Sequence, residues 1–300
     1  MDLGLLEDFL ELSRELNFSR AAEKRNMTQP AFSRRIRALE EAVETPLISR
    51  TTRQVSLTAA GKVFQPRAEA IVRALWDARA EAKEAAGLAQ RSLNLAATHA
   101  LSYTFVPRWL MSVAGPGQIG TLNLVSDTFR QCVRLMESGA ATFFICHKGS
   151  GEGLALPEKQ FAHHPVGCDR LVPFCAPGEA GAPLWTLGSG SEDLPLLSYG
   201  PASGLHRILE THWAQHGRPR LKSAMSSVLA STNLEMAKAG QGVAFLPSSL
   251  AEAEVAKGAL VRAGAAEFEV PLQIVIYRSR SRLSPHCEAF WSALTRADAA

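Results

Sequence analysis

Apolar residues recur at helical spacing through the first eighty-five positions and in short strand-like runs after that, and this change of period divides the chain. Leu5, Phe9, Leu12 and Leu16 predict a first helix with one buried stripe. Ser19 then opens a helix through Ala21, Ala22 and Glu23. After a tight turn at Arg25, Asn26 and Met27, Thr28 opens another helix with Pro30 in its first turn. In that helix Phe32, Ile36, Leu39 and Val43 share one face. Residues 50–57 place β-branched side chains around Arg50 and Arg53, which predicts a short hairpin. From Phe64, apolar positions alternate steps of four and three: Ala68, Ile71, Leu75, Ala78, Ala82 and Ala85, a coiled-coil seam over three heptads. So narrow a seam predicts pairing with a second copy, with Trp76 beside it; the rival is packing on its own domain.

Gly87 to Arg91 ends the helical part. Strands are then expected at Leu93–Ala97, Thr121–Val125, Phe143–Cys146, Leu171–Cys175, Leu196–Tyr199, Gln241–Pro247 and Leu272–Tyr277. Between them fall helices at Phe105–Val113 after a Thr98–Ser102 turn, at Phe129–Glu137, from Ser203 through Trp213, from Ser226 or Ser227 to Gly240, and from Ser284-Pro285 onward. This alternation is that of a mostly parallel sheet with crossover helices.

The face of the third helix opposite Phe32 carries Pro30, Arg34, Arg37 and Glu41, with Gln29 and Ser33 on its flank. Forked donors, an amide and short hydroxyls at a helix N-terminus suit base edges and phosphates in a major groove, and the hairpin suits the backbone or minor groove. The alternative is an ordinary solvated face. Charge favours the first: residues 17–58 hold eight Lys/Arg against four Asp/Glu, a net +4, so the rest of a chain totalling +3 sums to −1.

The ordered set AAEKRNMTQPAFSRRIRALEE, PLISR and VSLTAAGK closely resembles the amino-terminal winged helix-turn-helix of LysR-type transcriptional regulators. The resemblance implies that Gln29, Pro30, Ser33, Arg34 and Arg37 face double-stranded DNA, that Arg53 belongs to the wing, and that the linker helix makes a homodimer and then a homotetramer. It implies an α/β multidomain fold. A winged helix-turn-helix occupies residues 1–58, a linker helix 59–88, and a two-lobe, periplasmic-binding-protein-like effector domain 89–300. Lobe I takes 89–163 and 269–300, lobe II 164–268, with hinge crossings near His163–Val166 and Glu267–Val270. Two departures lie in the head: Glu44 stands where the family has Gly and Ile48 where Phe is common. A left-handed Glu costs ~1 kcal/mol relative to Gly, so the reading helix is expected to end differently here. A third lies further on, where Gly139 to His147 lacks the Asp of the familiar Gly-x-Leu-Asp-Leu.

Three turns at strand ends offer hydroxyls and free amides to a small ligand: Thr98, His99 and Ser102; Ser203; and Ser227. A small anion suits them. The plain alternative is that each Ser or Thr only caps a helix, worth ~1 kcal/mol. The Phe-Phe-Ile-Cys-His run and the FSRRIRALE form also resemble the hypochlorite-responsive branch of the family, which makes Met111, Met136, Met225, Met236, Cys168 and Cys175 redox candidates against their use as core filler. His163-His164 near Cys168-Asp169 fit no standard metal spacing, and no Gly-x-Ser-x-Gly elbow is present. The five cysteines include no CxxC pair, and no leader or long apolar run appears, so free thiols and a cytoplasmic location are expected. The expected protein is a non-enzymatic regulator without a metal or cofactor, whose partners are DNA, itself, a small effector and RNA polymerase. Its rival from another class is a solute-binding or enzymatic α/β protein with a helical head.

Overall fold

The computed structural model describes residues 2–50, 55–86, 92–113, 120–151, 153, 156–188 and 193–297. The chain divides into two compact units, Met1–Leu88 with Glu137–Gly139, and Ala89–Met136 with Ala140–Ala300.

In the first unit α1 (Leu3–Glu15), α2 (Phe18–Lys24) and α3 (Gln29–Ala42) precede the hairpin strands β1 (Ile48–Arg50) and β2 (Val55–Leu57) and the long helix α4 (Ala59–Ala85). Phe9 and Leu12 of α1, Ala21 and Ala22 of α2, and Phe32, Ile36 and Leu39 of α3 close on one core with Leu47 and Ile48. The amphipathic stripes expected of α1 and α3 therefore face each other. The cap of α2 differs from expectation. Asn17, not Ser19, stands at its N-cap and accepts from the Arg20 amide at 3.0 Å, so the helix begins at Phe18. Beneath the core edge lies Asp8, fully buried. Its Oδ1 accepts from Arg25 Nε at 2.7 Å and its Oδ2 from Arg35 Nε, while Glu7 takes the other end of the Arg25 fork at 2.9 Å. One carboxylate thus joins α1 to the end of α2 and the middle of α3.

The seam of α4 is divided. Ala68 and, off the seam, Val72 are buried in the head's core, with Phe64 partly buried beside them, whereas Ile71 and Leu75 are 46% and 49% exposed. Val63 is 72% exposed, Ala78 and Ala82 are also exposed, and the side chain of Ala85 lies outside the described residues. Packing on its own domain thus holds for one stripe of this helix, and another stripe is exposed on the chain.

The second unit contains β3 (Ser92–Thr98), α5 (His99–Thr104), α6 (Val106–Val113), β4 (Thr121–Asp127), α7 (Phe129–Glu137), β5 (Phe143–Gly149) and β6 (Phe161–Cys175). Then come β7 (Leu194–Tyr199), α8 (Gly204–His216), β8 (Leu221–Ser227), α9 (Ala230–Lys238), β9 (Ala244–Pro247), α10 (Ser248–Ala256), β10 (Val261–Arg262), β11 (Val270–Ser279) and α11 (Pro285–Ala297). A mixed sheet runs β10-β6-β11-β5-β3-β4 with β9 also on β6, and β7 pairs β8 in parallel. Around β3, β5 and β11, one face packs Leu95, Phe143 and Ile276 against Trp109 and Phe290; the other packs Phe144 and Tyr277 against Met136. A second set of cores joins Leu171, Leu196 and Phe245 to Ile208 and Trp213 of α8, and Val172 and Leu246 to Leu234 of α9.

Several local expectations are corrected here. The Thr98–Ser102 turn is helix α5, and Ser226 and Ser227 end strand β8 rather than opening α9. β8 and α10 carried no recognisable period. β8 is an exposed strand of small and polar residues, and the apolar positions of α10 are spread around the helix. The stretch His163–Val166, expected to cross a hinge, lies within strand β6, whose register with β11 shifts between Ile274 and Val275.

The helix end after α3 was expected to change because Glu replaces Gly. It does not: Glu44 itself adopts the left-handed conformation at φ 55°, and its amide and that of Thr45 reach back to Glu41 and Glu40 carbonyls at 3.2 and 3.1 Å. The exposed side chain gains nothing for the backbone penalty it carries. Glu44→Gly should raise the unfolding free energy by about 1 kcal/mol, read from urea melts of the chain.

Candidate functional site

On α3 the residues singled out by sequence stand together. Gln29, Pro30, Arg34 and Arg37 are exposed, Ser33 is half-buried, and the Gln29 side-chain amide donates to Ser33 Oγ at 3.1 Å. The helix starts after Thr28 with Pro30 in its first turn, and the Thr28 hydroxyl makes no capping bond. Its three arginines divide by task. Arg35 turns inward to Asp8, whereas Arg34 and Arg37 form no ion pair among the described residues. Two unneutralised forks and a polar first turn on an exposed helix face are suited to phosphates and base edges.

The wing is tied to this helix through Glu40. Its Oε1 accepts from the amides of Leu47 and Ile48 at 2.9 Å each, and its Oε2 from Arg50 Nη2 at 3.3 Å. Arg50 also lies over the Phe18 ring at 4.7 Å. Arg53, assigned to the wing by sequence, lies outside the described residues.

In the second unit a small cavity open to solvent is lined by Thr98, His99, Ala100, Asp127, Thr128, Phe129, His147, Ser203, Gly204, Leu205, Val228 and Ala230. It brings together Thr98, His99 and Ser203 from the sequence prediction. Ser102 and Ser227 are outside its wall. Ser102 donates to the His99 carbonyl and meets Ser126 Oγ, each at 2.8 Å, and Ser227 Oγ accepts from the Leu229 amide at 3.1 Å. Thr98 and Ser203 occupy N-cap positions, yet neither hydroxyl makes a capping bond, so capping does not account for them. The Thr98 hydroxyl is buried without a hydrogen-bond partner among the described residues. The starts of α5, α7, α8 and α9 all reach the wall, and with them come the positive ends of helix dipoles. Gly204 permits the close approach of α8 to α7, since a Cβ there would lie 3.1 Å from the Phe129 ring.

Sequence reasoning missed His147. It noted that the familiar Asp was absent and did not ask what the His in that run supplies. His147 is 3% exposed, and its Nε2 lies 3.4 Å from Oδ2 of Asp169, itself 8% exposed. Asp169 Oδ1 also accepts from Ser248 Oγ and the Arg170 amide, both at 2.7 Å, and Oδ2 from Ser249 Oγ at 2.6 Å. Burial by itself would raise the Asp169 pKa. The bonds from His147, Ser249 and Ser248 outweigh it and hold the carboxyl well below the usual carboxylate range.

The redox candidates are scattered. Met111 is 69% exposed and Cys168 is exposed, but Met136 is buried, Met225 and Met236 are partly buried, and burial raises the Cys175 thiol pKa. His163 packs beside Tyr277 and His164 beside Trp291, on opposite faces of the sheet, so they do not converge. Among the described residues no three His, Cys, Asp or Glu side chains gather as metal ligands, and no helix is long and apolar enough to cross a membrane.

Residues 3–62 match the family described as bacterial regulatory helix-turn-helix protein, lysR family, and residues 86–299 match the LysR substrate binding domain. The HTH-type transcriptional regulator YjiE of Escherichia coli K12 is 32% identical over 289 residues, 96% of this chain and 92% of that protein. Full-length HypT from Salmonella typhimurium, a hypochlorite-specific LysR-type transcriptional regulator, aligns with a TM-score of 0.59 at 29% identity, covering 100% of this chain and 98% of its own. Its regulatory domain, solved with a bromide ion, aligns at 0.58 and 25% identity over 70% of this chain and 97% of its own. Vibrio fischeri DarR, solved in complex with DNA, aligns at 0.57 and 28% identity over 98% of both chains. These relatives are transcriptional regulators, and the enzymatic rival reading falls with them.

The buried carboxylate yields a pH test. A folded pKa held below the unfolded one adds stability above the unfolded value, near 4 for a carboxyl, and that stability is lost as pH falls through the folded value. Asp169→Asn should therefore lower the melting temperature at pH 7. The gap to the parent chain should narrow as the pH is taken below about 4 in thermal melts.

Proposed function

From the premise that this chain belongs to the LysR family of transcriptional regulators, we propose that it binds a specific operator under the control of a small anionic effector held in the cavity at Thr98, His99, Ser203 and His147. The observation that carries the effector half is the cavity itself. Four helix starts meet on its wall, and Thr98 brings a buried hydroxyl without a hydrogen-bond partner among the described residues. The DNA half rests on the outward Arg34 and Arg37 and the polar first turn of α3. The bromide ion held by the HypT regulatory domain supports an anion as the effector's chemical class.

Two heads are needed for a long operator. The open stripe of Val63, Ile71 and Leu75 on α4 is the apolar surface a second copy would cover, making a homodimer that assembles further into a tetramer. Effector binding would shift the equilibrium between two arrangements of the second unit. It would thereby alter the spacing of paired heads, the bend of the DNA and contact with RNA polymerase in the cytoplasm. A second reading, that the signal is an oxidant, is supported by the likeness to HypT together with the accessible sulfurs of Met111 and Cys168. Peptide mass spectrometry after mild hypochlorite, set beside operator binding, separates it: oxidation at those sulfurs without any change in DNA affinity would count against it.

Arg34→Ala should weaken operator binding by about 1 to 3 kcal/mol and relax sequence preference, measured by fluorescence anisotropy on specific and scrambled duplexes. Affinity of the parent chain should also fall steeply with rising salt. For the cavity, a panel of small anions should include some that raise the melting temperature in proportion to the logarithm of their concentration; a panel with no stabilising member overturns the anionic reading.

A further inference from the structure

We propose that His212 and His216, in the last turn of α8, form a two-imidazole site for a divalent transition-metal ion of the nickel, copper and zinc class, with solvent completing the coordination.

Spacing supplies the first argument. Residues four apart on a helix stand one above the other on the same face, and a His pair at that spacing can hold one metal ion between its rings. In α8 the stretch reads His212-Trp-Ala-Gln-His216. Its two imidazoles lie side by side, with centroids 4.2 Å apart and planes 20° from parallel.

The ring nitrogens supply the second. His216 Nδ1 lies 3.0 Å from the His212 carbonyl oxygen, which can only accept, so the hydrogen sits on Nδ1 and the neutral ring keeps its lone pair on Nε2. A carbonyl on one ring nitrogen and an open lone pair on the other is how metal-binding histidines are held, because the bond fixes both tautomer and ring orientation. His212 is half-buried, and neither of its ring nitrogens makes a hydrogen bond among the described residues. Its lone pair is therefore not spent within the chain.

Charge supplies the third. A metal ligand must be unprotonated, and burial, then the neighbouring His216, pushes the His212 pKa down, so this ring is neutral at pH 7. Glu210, two positions away, faces elsewhere on the helix and pairs with Arg218 at 3.4 Å, while Arg218 lies over the Trp213 ring at 4.8 Å. Neutral nitrogen ligands then select the metal. Imidazole suits nickel, copper and zinc, whereas magnesium, calcium and manganese call for carboxylates and carbonyls. The site binds without catalysing: the position after the first His, where a helical zinc protease carries the glutamate that activates water, is buried Trp213.

The place of the pair gives the metal a structural effect. α8 has its first turn at the cavity, with Gly204 and Leu205 on the wall, and its last turn at the pair, just before Gly217 ends the helix at φ 93°. An ion held by both rings bridges that last turn and stabilises it.

The test uses the full chain without a polyhistidine tag, with nickel(II) chloride and manganese(II) chloride as probes in a non-coordinating buffer, read by isothermal titration calorimetry and thermal melts. One nickel ion per chain should bind, the melting temperature should rise with the logarithm of nickel concentration, and manganese should bind far more weakly. Both nickel effects should be lost in His212→Gln and in His216→Gln. They should be kept in Cys168→Ser, which removes the exposed thiol that competes as a soft ligand. His216 is exposed, so its replacement leaves the fold in place. Should His212→Gln fail to fold, the imidazole proton signals of the parent chain decide, since nickel below one equivalent should broaden two of the eight first. Saturable nickel binding that survives either His substitution, that disappears in Cys168→Ser, or that manganese matches overturns the site, as does no nickel binding at all.

Discussion

The antiparallel pairing of β6 with β11 is the constraint on which the second unit depends. These strands run side by side from the Phe161–Ser279 end to the Leu171–Val270 end, and both sets of cores are built on them. β5 and β3 are added beyond β11, while β9 and β10 are added to the far end of β6. Because one strand serves both halves, a side chain in its middle is fixed relative to both. Asp169 is such a residue, and the cavity lies where β3, β4 and β5 from one half meet helix starts from the other.

In the first unit the same economy appears in the arginines. A basic segment is a poor reader if its charges neutralise each other at random. Here Asp8 takes Arg25 and Arg35, Glu40 takes Arg50, and Arg34 and Arg37 are left outward. The buried carboxylate is costly to desolvate, and what offsets the cost is two charge-assisted bonds that also fix the angle at which α3 is presented. Stability and presentation of the reading face are therefore set by one group.

Legibility in the sequence followed the strength of the local signal. The stripes of α1 and α3 and the exposed polar face of α3 could be read because period and chemistry agreed on each helix. Buried strands of the mixed sheet such as β3, β5 and β11 were readable as apolar runs, because a strand covered on both faces shows no alternation to misread, whereas the short β10 and the polar first part of β6 were not. β8 was not, since an exposed strand of Lys, Ser and Ala has no apolar pattern. Asn17 was passed over for Ser19 because both are good caps two positions apart, and only packing of Phe18 against Phe32 at 6.2 Å decides the start. At the cavity, hydroxyls at strand ends were legible and His147 was not. Its partner lies twenty-two residues further along the chain, with β11 running between their strands, and no spacing rule joins them.

The burial of Ala68 and Val72 in the head's core has a mechanical meaning. The first half of α4 is not a tether but part of the rigid body that it would otherwise merely carry, so the reading helix has no hinge of its own at residue 58. Any twist applied along α4 must turn the whole head as a lever turns its blade. Freedom for the head to reorient is left to the later part of that helix, beyond the point where its side chains leave the core.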